Sequence, residues 1–267
     1  MSSQKLEPGV FDILPPALIA RLIQDVGVKK VKMNVVSILT LGILAGAFIS
    51  LGAAFYTVVI TGSTLGVGLT KLVGGVVFSL GLILIIIGGA ELFTGNTLIT
   101  LSWAESKISS VELLKNWFLV LMGNFLGAIF VVLSIYYSGI FNAAQFAETA
   151  RSIGEAKVSL TNTELVFRGV LCNLLVCMAV WMCFAAHSAS SKIMIILFPI
   201  SAFVALGFEH SVANMYFLPM SLLLEAQITV ADALRNLIFV TIGNIIGGGV
   251  LVGLVYWLVY LRNQPET

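Results

Sequence analysis

The chain alternates long apolar runs with short polar connections. Six runs stand out: Val35–Ile60, Leu72–Leu101, Trp117–Tyr137, Leu165–Ala186, Ile193–Leu224 and Leu237–Leu261. Each reaches or exceeds the ~20 residues that a membrane-crossing helix needs, so the pattern predicts an all-α membrane protein with six transmembrane helices. The second and fifth runs are longer than one helix requires for a hydrocarbon layer of about 30 Å at ~1.5 Å per residue. These two also carry the polar interruptions, "GGAELFTGNT" (Gly88–Thr97) and "GFEHSVANM" (Gly207–Met215). Excess length together with a break predicts that the second and fifth spans are each two half-helices joined by a loop. Ahead of the first run, "FDILPPALIARLIQDVGVKK" (Phe11–Lys30) mixes Leu and Ile with charge in a helical rhythm after a Pro pair. It reads as an interfacial amphipathic helix or as a packed N-terminal cap.

The pattern also matches itself. Gly89–Thr97 aligns with Gly207–Met215, with Gly, then Glu two residues later, then Asn five after the Glu in both. "NWFLVLMGNFLGA" (Asn116–Ala128) aligns with "NLIFVTIGNIIGG" (Asn236–Gly248) in the same order. The chain is therefore read as a duplicated unit of three spans. Three is odd, so the second copy enters from the opposite face, giving an inverted 3+3 repeat about an axis in the membrane plane. The domains expected are a cytoplasmic amphipathic N-terminal segment over 1–33, a six-span channel domain over 34–261 with repeats at about 34–138 and 162–261, and a cytoplasmic tail over 262–267. Non-helical backbone at bilayer depth cannot face lipid, so both breaks must meet protein or a cavity at the centre. "GNFLG" and "GNIIG" read as close helix contacts, with no transport role for Asn124 or Asn244.

Composition narrows the function classes. At 59% hydrophobic and 10% charged residues, with a mean hydropathy of +1.06, the 267-residue chain is not a soluble domain. A net charge of +1 and scattered Lys and Arg give no basic face for nucleic acid. Cys172, Cys177 and Cys183 lack a CxxC spacing and read as buried apolar thiols, so no metal or cofactor is expected. Residues 1–33 show no cleaved-signal pattern, which leaves insertion to the first span. Nine of the 14 Lys and Arg fall on the side of the termini, which places both termini in the cytoplasm. Trp103, Trp117, Trp181 and Trp257 lie near run ends and read as headgroup anchors.

Glu91, Glu209 and His210 are the ionisable side chains deep inside the runs. A charge there costs at least ~2.5 kcal/mol, so something must offset it. Each Glu reads as a loop-shaping carboxylate held by backbone N–H groups and a nearby amide. His210 differs, because imidazole titrates near working pH and Leu92 fills its place in the first repeat. That asymmetry favours a specific role over a satisfied buried histidine. "EHS" (Glu209–Ser211) has neither a G-x-S-x-G elbow nor an HExxH pattern around it, so no enzyme activity is expected.

"KLVGGVVFSLGLIL", "GGAELFTGNT", "CNLLVCMAVW", "GFEHSVANM" and "IGNIIGGGVLVGL", in this order along nearly the whole chain, resemble the formate/nitrite transporter family. The resemblance implies an aquaporin-like protomer with its own pore, assembled as a homopentamer in a bacterial inner membrane. It implies that Thr94 and His210 face each other across the pore centre, with Glu209 and Asn173 bracing the loop that carries the histidine. It implies an outer apolar constriction at Phe78, Leu82 and Phe203, an inner one at Leu92, Phe93 and Val176, and a vestibule lysine at Lys157. The partners are then a small anion or its conjugate acid, membrane lipid and further copies of the chain. A bare anion cannot be solvated by Leu and Phe rings, whereas a neutral acid loses far less, so the substrate is expected to take a proton in the vestibule and cross uncharged. A rival version keeps the anion charged and pairs it with protonated His210, or has His210 supply the proton. The stretches near Phe78 and after Thr241 favour formate, while the short Leu224–Leu234 segment and "ELFTGN" are similar to the nitrite and hydrosulfide branches. A tightly coupled proton/anion symporter is the alternative to a channel, with Ser102–Ser110 as its gate or as a plain connecting loop.

Overall fold

A computed structural model describes residues 13–262. Residues 1–12, with the start of the expected amphipathic helix, and residues 263–267 of the expected tail lie outside the described residues. The chain forms α1 (Pro16–Lys32), α2 (Val35–Ile60), α3 (Val67–Gly88), a short α4 over residues 93–104, and α5 (Ser110–Tyr137). It continues with α6 (Ala144–Val158), α7 (Asn162–Ala185), α8 (Ala189–Ala205), α9 (Ser211–Leu223) and α10 (Val230–Tyr260), whose residues Ile245–Leu254 are wound as π-helix. Among the described residues, α2, α3, α5, α7 and α10 are each long and apolar enough to cross a membrane. The remaining crossing is assembled from two shorter apolar helices, α8 and α9. The protein is thus an all-α, multi-pass membrane protein with six spans in an inverted 3+3, aquaporin-like repeat, the second and fifth broken.

Several helices begin before their apolar runs. α5 starts at Ser110 rather than Trp117, and α10 at Val230 rather than Leu237. Caps, not hydropathy, choose these starts. Ser109 with Glu112, Thr161 with Glu164 and Thr229 with Asp232 form capping boxes in which hydroxyl and carboxylate satisfy the first free backbone N–H groups. α6 was hidden from the hydropathy pattern, since "AQFAETARSIGEAKV" is too short and polar to stand out.

The two breaks are built alike. Gly89 (φ 79°) ends α3 and Gly207 (φ 71°) follows α8, both in the left-handed region where a Cβ is disfavoured. The Glu91 N–H then donates to the Leu41 carbonyl at 3.2 Å, and the Glu209 N–H to the Arg168 carbonyl at 3.3 Å. Asn124 donates to the Gly42 and Glu91 carbonyls at 2.8 and 2.9 Å and accepts from the Phe93 N–H at 2.9 Å. Asn244 repeats this with the Gly169 and Glu209 carbonyls at 2.8 and 3.0 Å and the Ser211 N–H at 2.9 Å. Gly123 lies against Gly42, and Gly243 against Gly169, so the glycines of "GNFLG" and "GNIIG" do make the close helix contacts expected of them. Their asparagines do more. Each amide replaces the backbone partners that the broken span has lost, which is the condition for non-helical chain at this depth.

Candidate transport path

The N-terminal half-helix ends α4 and α9 meet at the centre. Thr94 and His210 are buried and face each other, with Thr94 Oγ1 3.0 Å from His210 Nε2. The Ala213 N–H donates to His210 Nδ1 at 3.1 Å. Nδ1 is therefore the acceptor, the ring is the neutral tautomer with its proton on Nε2, and Nε2–H donates to Thr94 Oγ1. This leaves the hydroxyl proton of Thr94 for another acceptor.

A cavity lies on each side of this pair. The one lined by Lys157 encloses about 90 Å³ and is walled by Tyr56, Phe78, Phe203 and Phe217, with His210 and Glu209 also on its lining. The other, of about 100 Å³, is lined by Lys30, Asn96, Ile99, Val180 and Phe184. They share no lining residue, and the buried Thr94 and His210 lie in the packed layer between them. Phe78 and Phe203 pack edge to face at 5.7 Å, and Phe203 stacks on the His210 ring at 5.9 Å. Leu82, Leu92, Phe93 and Val176 line neither cavity and are buried in the packed layer. Phe93 packs on Trp117 at 6.2 Å.

Each cavity carries the same polar cluster. Lys157 Nζ contacts both Glu209 oxygens at 2.9 and 3.1 Å, Asn214 donates to Glu209 at 2.6 Å and to Asn236 at 2.7 Å, and Asn236 donates to the Lys157 carbonyl at 3.0 Å. In the first repeat Lys30 Nζ lies 3.1 Å from Glu91 and donates to Asn96 at 2.7 Å. Asn96 donates to Glu91 at 2.7 Å and to Asn116 at 3.0 Å, and Asn116 donates to the Lys30 carbonyl at 3.4 Å. A carboxylate in this layer thus has an ammonium and an amide as partners, which offsets its loss of water.

The sequence singles out Lys157, Glu209, Thr94 and His210, and the structure brings these four together: Lys157, Glu209 and His210 line one cavity and Thr94 meets His210. The amide expected beside each glutamate is Asn96 or Asn214, but the backbone N–H groups expected there are replaced by a lysine ammonium, and the sequence does not single out Lys30 or the second amides Asn116 and Asn236. All four asparagines sit in the self-matching motifs, so their recurrence was the available signal. Asn173 makes no direct hydrogen bond to the histidine loop: it donates to the Thr94 carbonyl at 3.2 Å and Thr97 Oγ1 at 3.1 Å on one side, and on the other to the carbonyl of Asn244, which caps that loop, at 2.6 Å. It therefore ties the threonine side to the cap of the histidine side. Trp117 is no headgroup anchor either, being buried with its indole N–H on the Asn96 carbonyl at 2.9 Å, and Trp181 is buried and stacked on Tyr256 at 4.2 Å. Ser102–Ser110 is a short hydrogen-bonded connection: Ser102 belongs to α4, and the link to α5 closes through the Lys107 N–H on the Ser102 carbonyl at 3.0 Å. The three cysteines are free and buried.

Known proteins share this fold. A formate/nitrite transporter profile matches residues 17–258. The formate channel FocA of Escherichia coli (strain K12) is 42% identical, the match covering 96% of this chain and 98% of that one. A solved pentameric formate channel with formate bound superposes with a TM-score of 0.79 at 40% identity, covering 85% of this chain and 98% of that chain. A solved FNT family ion channel superposes with a TM-score of 0.84 at 31% identity, covering 90% and 98%. With the family profile matched from residue 17 to 258 and a relative 42% identical over nearly its full length, the chain belongs to the formate/nitrite transporter family.

Proposed function

We propose that the protein is a channel for formate and that formate crosses the centre as the uncharged acid. The observation that carries this reading is the neutral His210–Thr94 pair, buried between two lysine-bearing cavities. The lysines draw a small anion into either cavity, where falling dielectric favours its protonated form. Beyond Phe78 and Phe203 on one side, the centre offers hydroxyl and imidazole but no net charge, so a bare anion would lose its hydration without replacement. A monocarboxylic acid finds partners there: its carbonyl oxygen can accept from the Thr94 hydroxyl. Leu82, Leu92, Phe93 and Val176 keep the remaining layer dry, and Asn173 fixes the backbone that presents Thr94.

The substrate assignment draws on the formate channels among the relatives, and the homopentamer on the pentameric formate channel that superposes on this chain. The orientation, with Lys30 and both termini on the cytoplasmic side of a bacterial inner membrane, rests on the distribution of Lys and Arg. The test is uptake of formate, nitrite and hydrosulfide by proteoliposomes holding the purified pentamer. Formate uptake well above that of protein-free liposomes, and faster than nitrite or hydrosulfide, is expected; uptake equal to the control for formate would overturn the reading.

A further inference from the structure

We infer that a serine–glycine contact, present once in each repeat, sets the position of each vestibule lysine: Ser102 on Gly27 for Lys30, and Ser221 on Gly154 for Lys157. The inference deepens the channel reading and rests on it.

Both lysines ride on helices that lie outside the six spans, Lys30 on α1 and Lys157 on α6. In both, a glycine precedes the lysine by three residues, which puts glycine and ammonium on one helix face about a turn apart. At that glycine the helix touches the far end of a half-helix. A Cβ on Gly27 would overlap Ser102 Oγ of α4, and a Cβ on Gly154 would overlap Ser221 Oγ of α9. The serine uses the space left by the missing side chain to reach the neighbouring backbone. Ser102 Oγ donates to the Gln24 carbonyl at 2.8 Å, and Ser221 Oγ to the Ala150 carbonyl at 2.7 Å, sharing its proton with the Phe217 carbonyl at 2.7 Å.

The second tie on each helix is at the lysine itself, where Asn116 holds the Lys30 carbonyl and Asn236 the Lys157 carbonyl. Two ties on one face, one at the glycine and one at the lysine, fix both the distance of the helix from the half-helix and its rotation. The same half-helix carries Asn96 or Asn214, the amide that shares the glutamate with the lysine. Each lysine helix is thus referenced to the element that lines the path. Gly154 and Ser221 touch no substrate; they act through Lys157 and are positioning residues. The contact recurs in both repeats together with the lysine–glutamate pair that it serves, whereas the centre, with His210 against Leu92, has diverged.

Gly154→Ala pushes α6 off α9 and carries Lys157 away from Glu209. The expected result is a several-fold fall in formate uptake per incorporated pentamer. Gly154→Ala combined with Ser221→Gly, which restores the close approach from the other side, returns uptake to within about twofold of wild type. In a Lys157→Ala background the Gly154→Ala change should cost nothing further, because sites that act through one another are not additive. Ser221→Ala, which removes only the hydroxyl, gives a smaller loss that likewise disappears without Lys157. A Gly154→Ala protein with wild-type uptake, or one whose loss is undiminished without Lys157, overturns the inference. Where the Lys157→Ala flux is too low to compare, a cryo-EM structure of the Gly154→Ala protein decides: an intact pairing of Lys157 with Glu209 overturns it, a broken one supports it. Absence of formate uptake by the wild-type protein would instead end the channel reading.

Discussion

At the rims of the path the two repeats match group for group. Lys30 pairs with Glu91 at 3.1 Å as Lys157 does with Glu209 at 2.9 Å, and Asn124 caps one half-helix with the same three hydrogen bonds that Asn244 gives the other. At the centre they part. His210 stands where the first repeat has Leu92, Thr94 where the second has Val212, and Asn173 where the first has Gly46. Duplication has kept the electrostatic frame on both faces and released the middle, so that one polar group from each half makes a pair neither repeat contains alone. The rims are not identical in detail. Asn96 Oδ1 accepts from Lys30, whereas Asn214 Oδ1 is buried with no hydrogen-bond partner because Lys157 gives its protons to both Glu209 oxygens.

That difference predicts the largest effect. Glu209→Ala leaves Lys157, whose side chain is 14% exposed, without its counter-charge and should cost about 3–5 kcal/mol. Glu91→Ala should cost distinctly less, because Lys30 is 26% exposed and keeps Asn96. Thermal unfolding of the purified proteins in detergent reads both, and equal losses would erase the distinction between the rims. Next come the caps: Asn124→Ala and Asn244→Ala each remove three buried hydrogen bonds at roughly 1 kcal/mol apiece, so each should destabilise by about 2–3 kcal/mol, and by similar amounts in the two halves. His210→Leu, which gives the second repeat the residue of the first, should lower formate uptake at least ~10-fold, about 1.4 kcal/mol, and should cost about 1–2 kcal/mol of stability because it also removes the acceptor of the Ala213 N–H and the partner of Thr94. The smallest effect is at a helix start: Thr229→Ala removes the cap of α10 and should cost about 1 kcal/mol of stability with uptake retained.

Much of this was legible in the chain. Hydropathy placed the six spans because lipid imposes length and apolarity on each of them, and the polar breaks announced themselves by contrast. Self-comparison gave the inverted repeat, since Glu91 and Glu209 recur with their asparagines at fixed spacing. What escaped depends on contacts between distant segments. Lys30 looks like any terminal charge until α1 folds back on Glu91, and α6 has neither the length nor the hydropathy of a span. The direct partners of Asn173, namely Thr94, Thr97 and Asn244, are not legible in the sequence because all three lie more than 70 residues away. Trp117 was misread for a related reason: its apolar run began late, so a residue seven places inside α5 looked like a span end.

The claim on which the rest turns is that the substrate is uncharged when it passes His210 and Thr94. Proteoliposomes given an inward formate gradient, with lumenal pH and membrane current recorded together, test it most directly. The account predicts one proton entering with each formate, uptake that quickens as external pH falls, and no current attributable to formate. A formate-dependent current without lumenal acidification would contradict it.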